Sequence, residues 1–239
     1  SYPYGEPIAL DTTNPHICLP CACKPEGDVT LEVKTIGQKD EIKVRMLPCR
    51  VHQIDHLAHD VIRLLLKLPD GQRLQFRAGQ YIEFVLADGR HRAFSIANAP
   101  HDDAFIELHI RHVDGGKFTD WAFSQMEEKA ILRIEAPHGS FVLDEKSQRP
   151  MIFMGGGTGF APLKGQIEHA FHMGISRPMT LYWGVRSKRD MYLAELPKIW
   201  GSGFDHFMFI TMLHEPDADR EGGTGSVHET VLVEMNTLA

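Results

Sequence analysis

Two short stretches carry residue types and spacings that could do chemistry. In the first, Met151-Ile152-Phe153-Met154-Gly155-Gly156-Gly157-Thr158-Gly159-Phe160-Ala161-Pro162, a glycine-rich turn stands between an apolar run and a segment of helical spacing. Main-chain N–H groups at such a turn, backed by the positive end of a helix dipole, attract a phosphate or pyrophosphate, and glycine lets the ligand approach the backbone. Phe160 stands where the last glycine of G-x-G-x-x-G would be, and no Lys-Ser or Lys-Thr follows, so the motif matches neither the dinucleotide fingerprint nor the P-loop. Taken by itself, the turn is also compatible with glycines kept for packing alone. The second stretch is Arg92-Ala93-Phe94-Ser95, where strand alternation sends Arg92 and Phe94 to one face and Ser95 to the other. A guanidinium there could hold phosphate oxygens, and the ring could lie against an aromatic cofactor. An exposed charge beside a core aromatic gives the same pattern. A third cluster, Cys18, Cys21 and Cys23, gathers three of the four cysteines within six residues, leaving Cys49 apart.

The elements that must position these groups follow from length and patterning. At 239 residues, 43% hydrophobic and 24% charged, the chain is ordinary in composition and long enough for two compact domains. A formal charge of -7 argues against a general nucleic-acid binder, which needs an excess of Lys and Arg. No stretch approaches the roughly eighteen consecutive apolar residues of a membrane span, and the opening residues lack a basic region followed by an apolar run. A cytoplasmic protein acting on small molecules is expected. In that compartment clustered cysteines are more often ligands or catalytic groups than disulfides, and Cys21 and Cys23 are too close in sequence to bridge well.

Residues 29–33 read as a short strand and the charged, glycine-containing stretch after them as a linker, with a boundary near residue 40. Beyond it the segments alternate: Ile82, Phe84 and Leu86 share a face, as do Ile106, Leu108 and Ile110, and Leu132 with Ile134. Asp70-Gly71, Asp88-Gly89 and Asp114-Gly115-Gly116 mark hairpins or short loops between them. An all-β antiparallel barrel or sandwich is predicted. From about residue 149 strands alternate with helices, the helix at 191–200 being interrupted by Pro197, so a parallel-sheet α/β domain is predicted there. The chain stops after a helical stretch at 227–235, where such a sheet would take another strand, and truncation is expected.

The fourteen histidines include His52, His56 and His59, and His169 with His172, whose spacings would suit metal ligands only on helices. No H-E-x-x-H pattern accompanies them, and solvated or satisfied histidines are expected. Trp183 and Tyr182 fit a buried strand, and Glu127, Glu128 and Lys129 a solvated loop.

Several ordered motifs together resemble the ferredoxin-NADP reductase family of flavin enzymes: Arg92-x-Phe94-Ser95 on a barrel, a Gly-Gly loop opening a helix, and Gly-Gly-Gly-Thr-Gly-x-Ala-Pro in an α/β domain. The resemblance covers residues 45–239 and is nearest to flavin reductases and CDP-6-deoxy-glucoseen reductase-like proteins, in which a plant-type 2Fe-2S domain precedes the flavin domain. It implies an FAD-binding barrel over 45–147 and an NAD(P)-binding domain over 148–239, after a ferredoxin-domain remnant at 1–36 and a linker at 37–44. By the same resemblance Arg92 would hold a flavin phosphate, Phe94 would pack on the isoalloxazine and Ser95, with Ile96 beside it, would lie near its N5. The family commonly has Tyr at position 94, and that hydroxyl is missing here. His109, Ile110 and Arg111 would line the ribityl and adenine side. Gly116, Lys117, Phe118 and Thr119 would receive the FAD pyrophosphate. Gly156, Gly157, Thr158 and Gly159 would cradle the nicotinamide dinucleotide, with Gly184, Arg186 and Ser187 facing its adenosine ribose.

The implied activity is oxidation of NADH or NADPH by FAD, with electrons passed to the iron-sulfur centre of an oxygenase or sugar-dehydratase type system. Arg186, Lys188 and Arg189 could favour NADPH, Asp190 tempers this, and the likeness leans to NADH. Release of reduced flavin and a non-turnover flavin- or nucleotide-binding redox module are the alternatives. Catalysis would rest on proximity and orientation, with Ser95 tuning N5. The family's Cys-Gly-x-Pro type segment is not found before Ala239, and for a chain that ended there weakened nicotinamide positioning and slow hydride transfer would be expected. Cys21, seven residues before Asp28, resembles the fourth ligand of a plant-type cluster whose C-x4-C-x2-C run is missing, so this chain alone is not expected to hold the cluster.

Overall fold

The computed structural model describes residues 42–213 and 223–224. The cysteines at 18, 21 and 23, the strand at 29–33, the 1–36 remnant and the helical stretch at 227–235 lie outside the described residues. Six antiparallel strands form the first lobe: β1 (Arg45–Ala58), β2 (Val61–Lys67), β3 (Tyr81–Val85), β4 (His91–Ser95), β5 (Ile106–Arg111) and β6 (Ile131–His138). Their order is β4-β3-β6-β1-β2-β5, and an Ile96–Leu108 bridge joins the two edges, curling the sheet into a barrel. Alternation drives this. Ile82, Phe84, Ile106, Leu108, Ile110 and Ile134 are all buried on the inner face. Helix α1 (Lys117–Ser124), between β5 and β6, adds Phe118 and Ala122 to the same core.

Of the three Asp-Gly turns only Asp88-Gly89 closes a hairpin, between β3 and β4, with Gly89 at φ +78°. Asp70-Gly71 opens the long β2–β3 connection, and Asp114-Gly115 leads into α1, so neither makes a hairpin. The tightest turn carries no glycine. Ala58 pairs with Val61, so His59 and Asp60 alone connect β1 to β2.

The second lobe is a parallel sheet, ordered β10-β9-β8-β7, built from β7 (Met151–Gly156), β8 (Met179–Val185), β9 (Phe207–Leu213) and β10 (Gly223–Thr224). Helices α2 (Phe160–His172) and α3 (Glu195–Gly203) follow β7 and β8. Phe153, Leu181, Trp183, Ile167 and Trp200 form its core, where Phe160 stacks on Trp183 with centroids 4.1 Å apart, a contact worth about 1 kcal/mol beyond burial. Tyr182 is buried as well. Pro197 does not interrupt a helix. It is the third residue of α3, in the first turn, where a missing N–H costs no intrahelical bond. The lobes share a seam: Val61, at the hairpin tip, is 1% exposed and belongs to the second lobe's core, with Leu57 and Ala58 packed beside it.

Among the described residues no helix is long and apolar enough to cross a membrane. Cys49 is 2% exposed, and burial pushes its thiol up to about 12. Alkylation of the native protein at pH 8 should therefore leave Cys49 unmodified and label it fully only in denaturant; native-state labelling at Cys49 would contradict this packing.

Candidate cofactor site

The glycine turn takes a specific shape. β7 ends at Gly156, residues 157–159 make one 3-10 turn, and α2 starts at Phe160 with no side chain capping either helical segment. The Trp183 indole N–H donates to the Gly157 carbonyl at 2.9 Å, and Gly157 sits at φ +51°, where glycine is favoured. A Cβ on Gly157 would lie 2.7 Å from Nη1 of Arg111, which comes from β5 of the barrel. Gly156 and Gly184 are register partners at the ends of β7 and β8. A Cβ on Gly156 would meet only the Gly184 carbonyl at 4.0 Å, and one on Gly159 nothing within 4 Å. An open gap therefore stands at the carboxyl ends of parallel strands, where open α/β sheets take their ligands.

On the barrel, edge strand β4 places Arg92 opposite Phe84, Phe94 opposite Ile82 and Ser95 opposite Tyr81. Phe94 is half-buried, its ring 5.7 Å from Phe84 and 5.4 Å from Phe118. Arg92 donates to the His91 carbonyl at 2.8 Å and makes no direct ion pair with a described carboxylate, although its charge reaches Asp88. The Ser95 hydroxyl makes no hydrogen bond to any described residue, while Ile96 is fully buried. At the start of α1 Gly116 is the N-cap without a side-chain bond, so the helix end is uncapped. Lys117 is exposed, with no ion pair among the described residues. The other two residues of this loop turn inward. Phe118 joins the core, and the Thr119 hydroxyl donates to the Val113 and Gly116 carbonyls at 3.1 and 3.0 Å. This loop thus offers backbone N–H groups and one ammonium to an anion, rather than a threonine hydroxyl.

β5 departs most from expectation. Ile110 is buried in the barrel, and the His109 side chain is closed off from solvent with both nitrogens engaged by other side chains. Burial lowers the pKa of His109, against the pull of Glu107, and keeps the ring neutral. Its Nε2–H then donates to Glu107 at 2.9 Å and its Nδ1 accepts the Tyr192 hydroxyl at 3.1 Å. Glu107 also takes the buried ammonium of Lys164 at 3.2 Å, and Lys164 reaches Glu168 at 3.0 Å. Burial works to raise Glu107, but the His109 hydrogen bond and the Lys164 charge outweigh it and hold the carboxyl at about 2. Of the three β5 residues only Arg111 faces the glycine turn, with its Nε donating to Asp60 at 2.7 Å.

After β8, Arg186 is exposed, and the half-buried Ser187 is engaged within its own turn. Its N–H and hydroxyl both donate to Asp190 Oδ2 at 2.9 Å, closing the 188–190 turn. The histidine sets do not assemble: His52 stacks on Phe105, His56 stands edge-on to Phe123, His169 pairs with Glu145 and His172 stacks on His101. Glu127, Glu128 and Lys129 are exposed.

A closed antiparallel barrel with Arg-x-Phe-Ser on its edge strand, joined to a parallel sheet with an open glycine gap, defines a flavin- and dinucleotide-binding oxidoreductase. Residues 48–143 match the oxidoreductase FAD-binding domain, and residues 153–238 the oxidoreductase NAD-binding domain. The NAD(P)H-flavin reductase of Aliivibrio fischeri is 34% identical over 197 residues, covering 80% of this chain and 82% of that protein. The chain belongs to the ferredoxin-NADP reductase-like family of FAD- and NAD-binding oxidoreductases. The CDP-6-deoxy-L-threo-D-glycero-4-hexulose-3-dehydrase reductase of Yersinia pestis is 33% identical over 221 residues, covering 92% of this chain and 66% of that protein. The crystal structure of a reductase from Amycolatopsis superposes with a TM-score of 0.78 at 31% identity, over 90% of this chain and 66% of that one. The chain thus spans just under two thirds of the Yersinia relative.

Proposed function

We propose that this chain is the flavin- and nicotinamide-binding part of an NAD(P)H-dependent reductase that sends electrons to the iron-sulfur centre of an oxygenase or sugar-dehydratase type partner. The observation that carries the reading is one junction: the open Gly156–Gly184 gap and the Gly157 turn meet Arg111 from the barrel. Arg92 and Lys117, neither in a direct ion pair with a described carboxylate, provide positive charge for phosphates, and the uncapped N-terminus of α1 adds N–H donors. Phe94 offers a half-buried ring face, and the Ser95 hydroxyl is free to hold a hydrogen bond at flavin N5. Bound in this cleft, FAD supplies the change from two-electron to one-electron transfer and nicotinamide supplies the hydride. The chain's own contribution is orientation and exclusion of water, since no acid–base group is required. The relative named as a reductase of a sugar dehydrase supports the acceptor class, and the Cys21 pattern supports an iron-sulfur centre.

Anaerobic mixing with NADH and, separately, NADPH should bleach the yellow protein. Ser95→Ala should slow flavin reduction at least tenfold, about 1.4 kcal/mol in the barrier, with flavin content unchanged. An unaltered reduction rate removes Ser95 from the assignment. Coverage of 82% of an NAD(P)H-flavin reductase favours a second reading, release of reduced flavin as product. Flavin lost on gel filtration, with turnover restored by added free flavin, would select it.

A further inference from the structure

The seam between the lobes holds a cluster that the flavin chemistry does not use. At the β1–β2 turn, His59 Nε2 lies 3.8 Å from Asp60 Oδ1 and 3.5 Å from Asp190 Oδ1, and all three ligand atoms fall within 4.8 Å of one another. We propose that His59, Asp60 and Asp190 form a site for a divalent transition-metal cation, zinc first, which pins the barrel's hairpin tip to the 188–190 turn of the second lobe.

Each carboxylate is held by one oxygen and offers the other. Asp60 Oδ2 accepts Arg111 Nε at 2.7 Å, while its Oδ1 is shut off from solvent with no hydrogen-bond partner among the described residues. Asp190 is 5% exposed, and its Oδ2 accepts both Ser187 donors, leaving Oδ1 toward His59. A buried acceptor without a donor is costly, and a cation is one way to satisfy it. The 3.5 and 3.8 Å separations are too long for hydrogen bonds. They are near the spacing of about 3.3–3.5 Å expected of two ligands sharing one zinc at its usual bond lengths. Arg111 and Ser187 then act as the outer-shell partners that orient ligating carboxylates. One imidazole and two carboxylates suit zinc, and His59, 47% exposed on its side chain, leaves the fourth position open to water. The other cluster of this kind among the described residues, Glu83, Glu135 and His138, lies wholly on the barrel and joins no part of the second lobe, and it serves as the comparison site.

The test is zinc binding to the full chain by equilibrium dialysis, comparing the parent with His59→Ala, Asp60→Asn and His138→Gln. Zinc taken up by the cysteines is common to all four proteins and cancels in the comparison. His59→Ala should bind one equivalent fewer than the parent, as should Asp60→Asn, while His138→Gln matches the parent. Zinc should also raise the melting temperature of the parent more than that of His59→Ala. Because His59 is half-exposed, His59→Ala is expected to fold, and it decides the matter alone if Asp60→Asn is unstable without its Arg111 partner. Equal zinc stoichiometry in the parent and His59→Ala, or an equivalent lost in His138→Gln instead, overturns the proposal.

Discussion

Leucine in place of Gly156 should leave the fold intact and lower kcat/KM for NADH or NADPH at least a hundredfold, about 2.7 kcal/mol of lost transition-state stabilisation. Gly156 has φ -109° and ψ 132°, a conformation open to any residue, and its added Cβ would have no neighbour closer than 4.0 Å. The new side chain therefore starts without a clash at its Cβ and enters the open space at the carboxyl ends of β7 and β8. Melting temperature and flavin content should match the parent, because Arg92, Phe94 and Lys117 lie on the other lobe. Stopped-flow reduction of the flavin with each nicotinamide dinucleotide checks this. Parent-like kcat/KM in Gly156→Leu would show that the dinucleotide does not enter there. Gly79 provides the contrast. At φ +96°, a Cβ there would overlap the Phe141 carbonyl and the Gln166 amide, so a substitution at Gly79 would report on folding rather than binding.

Removing the Lys164 ammonium should produce the largest loss of stability, about 3–5 kcal/mol, or roughly 10 °C in melting temperature for a chain of this size. Lys164 is 8% exposed and lies between Glu107 and Glu168, whose side chains are 13% and 26% exposed, so Lys164→Ala leaves two partly buried carboxylates without their cation. Glu107, held at about 2 in the folded protein and so below its ordinary value, contributes stability that is present above the ordinary carboxylate range and lost as pH falls toward 2. Glu168 runs the other way. Burial raises its pKa despite Lys164, so its contribution is present at low pH and fades as pH rises through the folded value. Without Lys164 both carboxylates would titrate higher than in the parent, Glu168 with nothing to offset its burial and Glu107 with only its His109 partner left, so the deficit should shrink as acid protonates them. Urea melts should show a larger deficit for Lys164→Ala at pH 7.5 than at pH 5. The double variant Lys164→Met, Glu107→Gln should recover much of the loss, and an equal deficit at both pH values would refute the charge-based account.

How much of this was readable from the residues differs by element. The barrel strands followed from apolar residues two apart, and the glycine turn from its place between a buried run and a helix, because both are local patterns. The burial of the His109 side chain is not legible in sequence, because a strand facing a second lobe is buried on both sides and its partner Tyr192 lies 83 residues away. Pro197 looked like a helix breaker because the helix start was read too early, before Glu195 set the first turn. The His59-Asp60 turn carries no glycine to mark it, and although His59 stands out with His52 and His56, its actual neighbours are Asp190 and, through Asp60, Arg111, which only folding brings close. Asp60 and Asp190 lie in polar surface-like stretches, and nothing in their spacing marks them out.

The hairpin tip also limits how reductases of this build can be recombined. Val61 is encoded with the barrel but fills the second lobe's core. A chimera cut in the segment between His138 and Met151 would carry one parent's tip into a socket shaped for the other's. Flavin halves and nicotinamide halves are therefore not freely exchangeable cassettes. A successful graft must move residues 57–61 with the lobe that receives them.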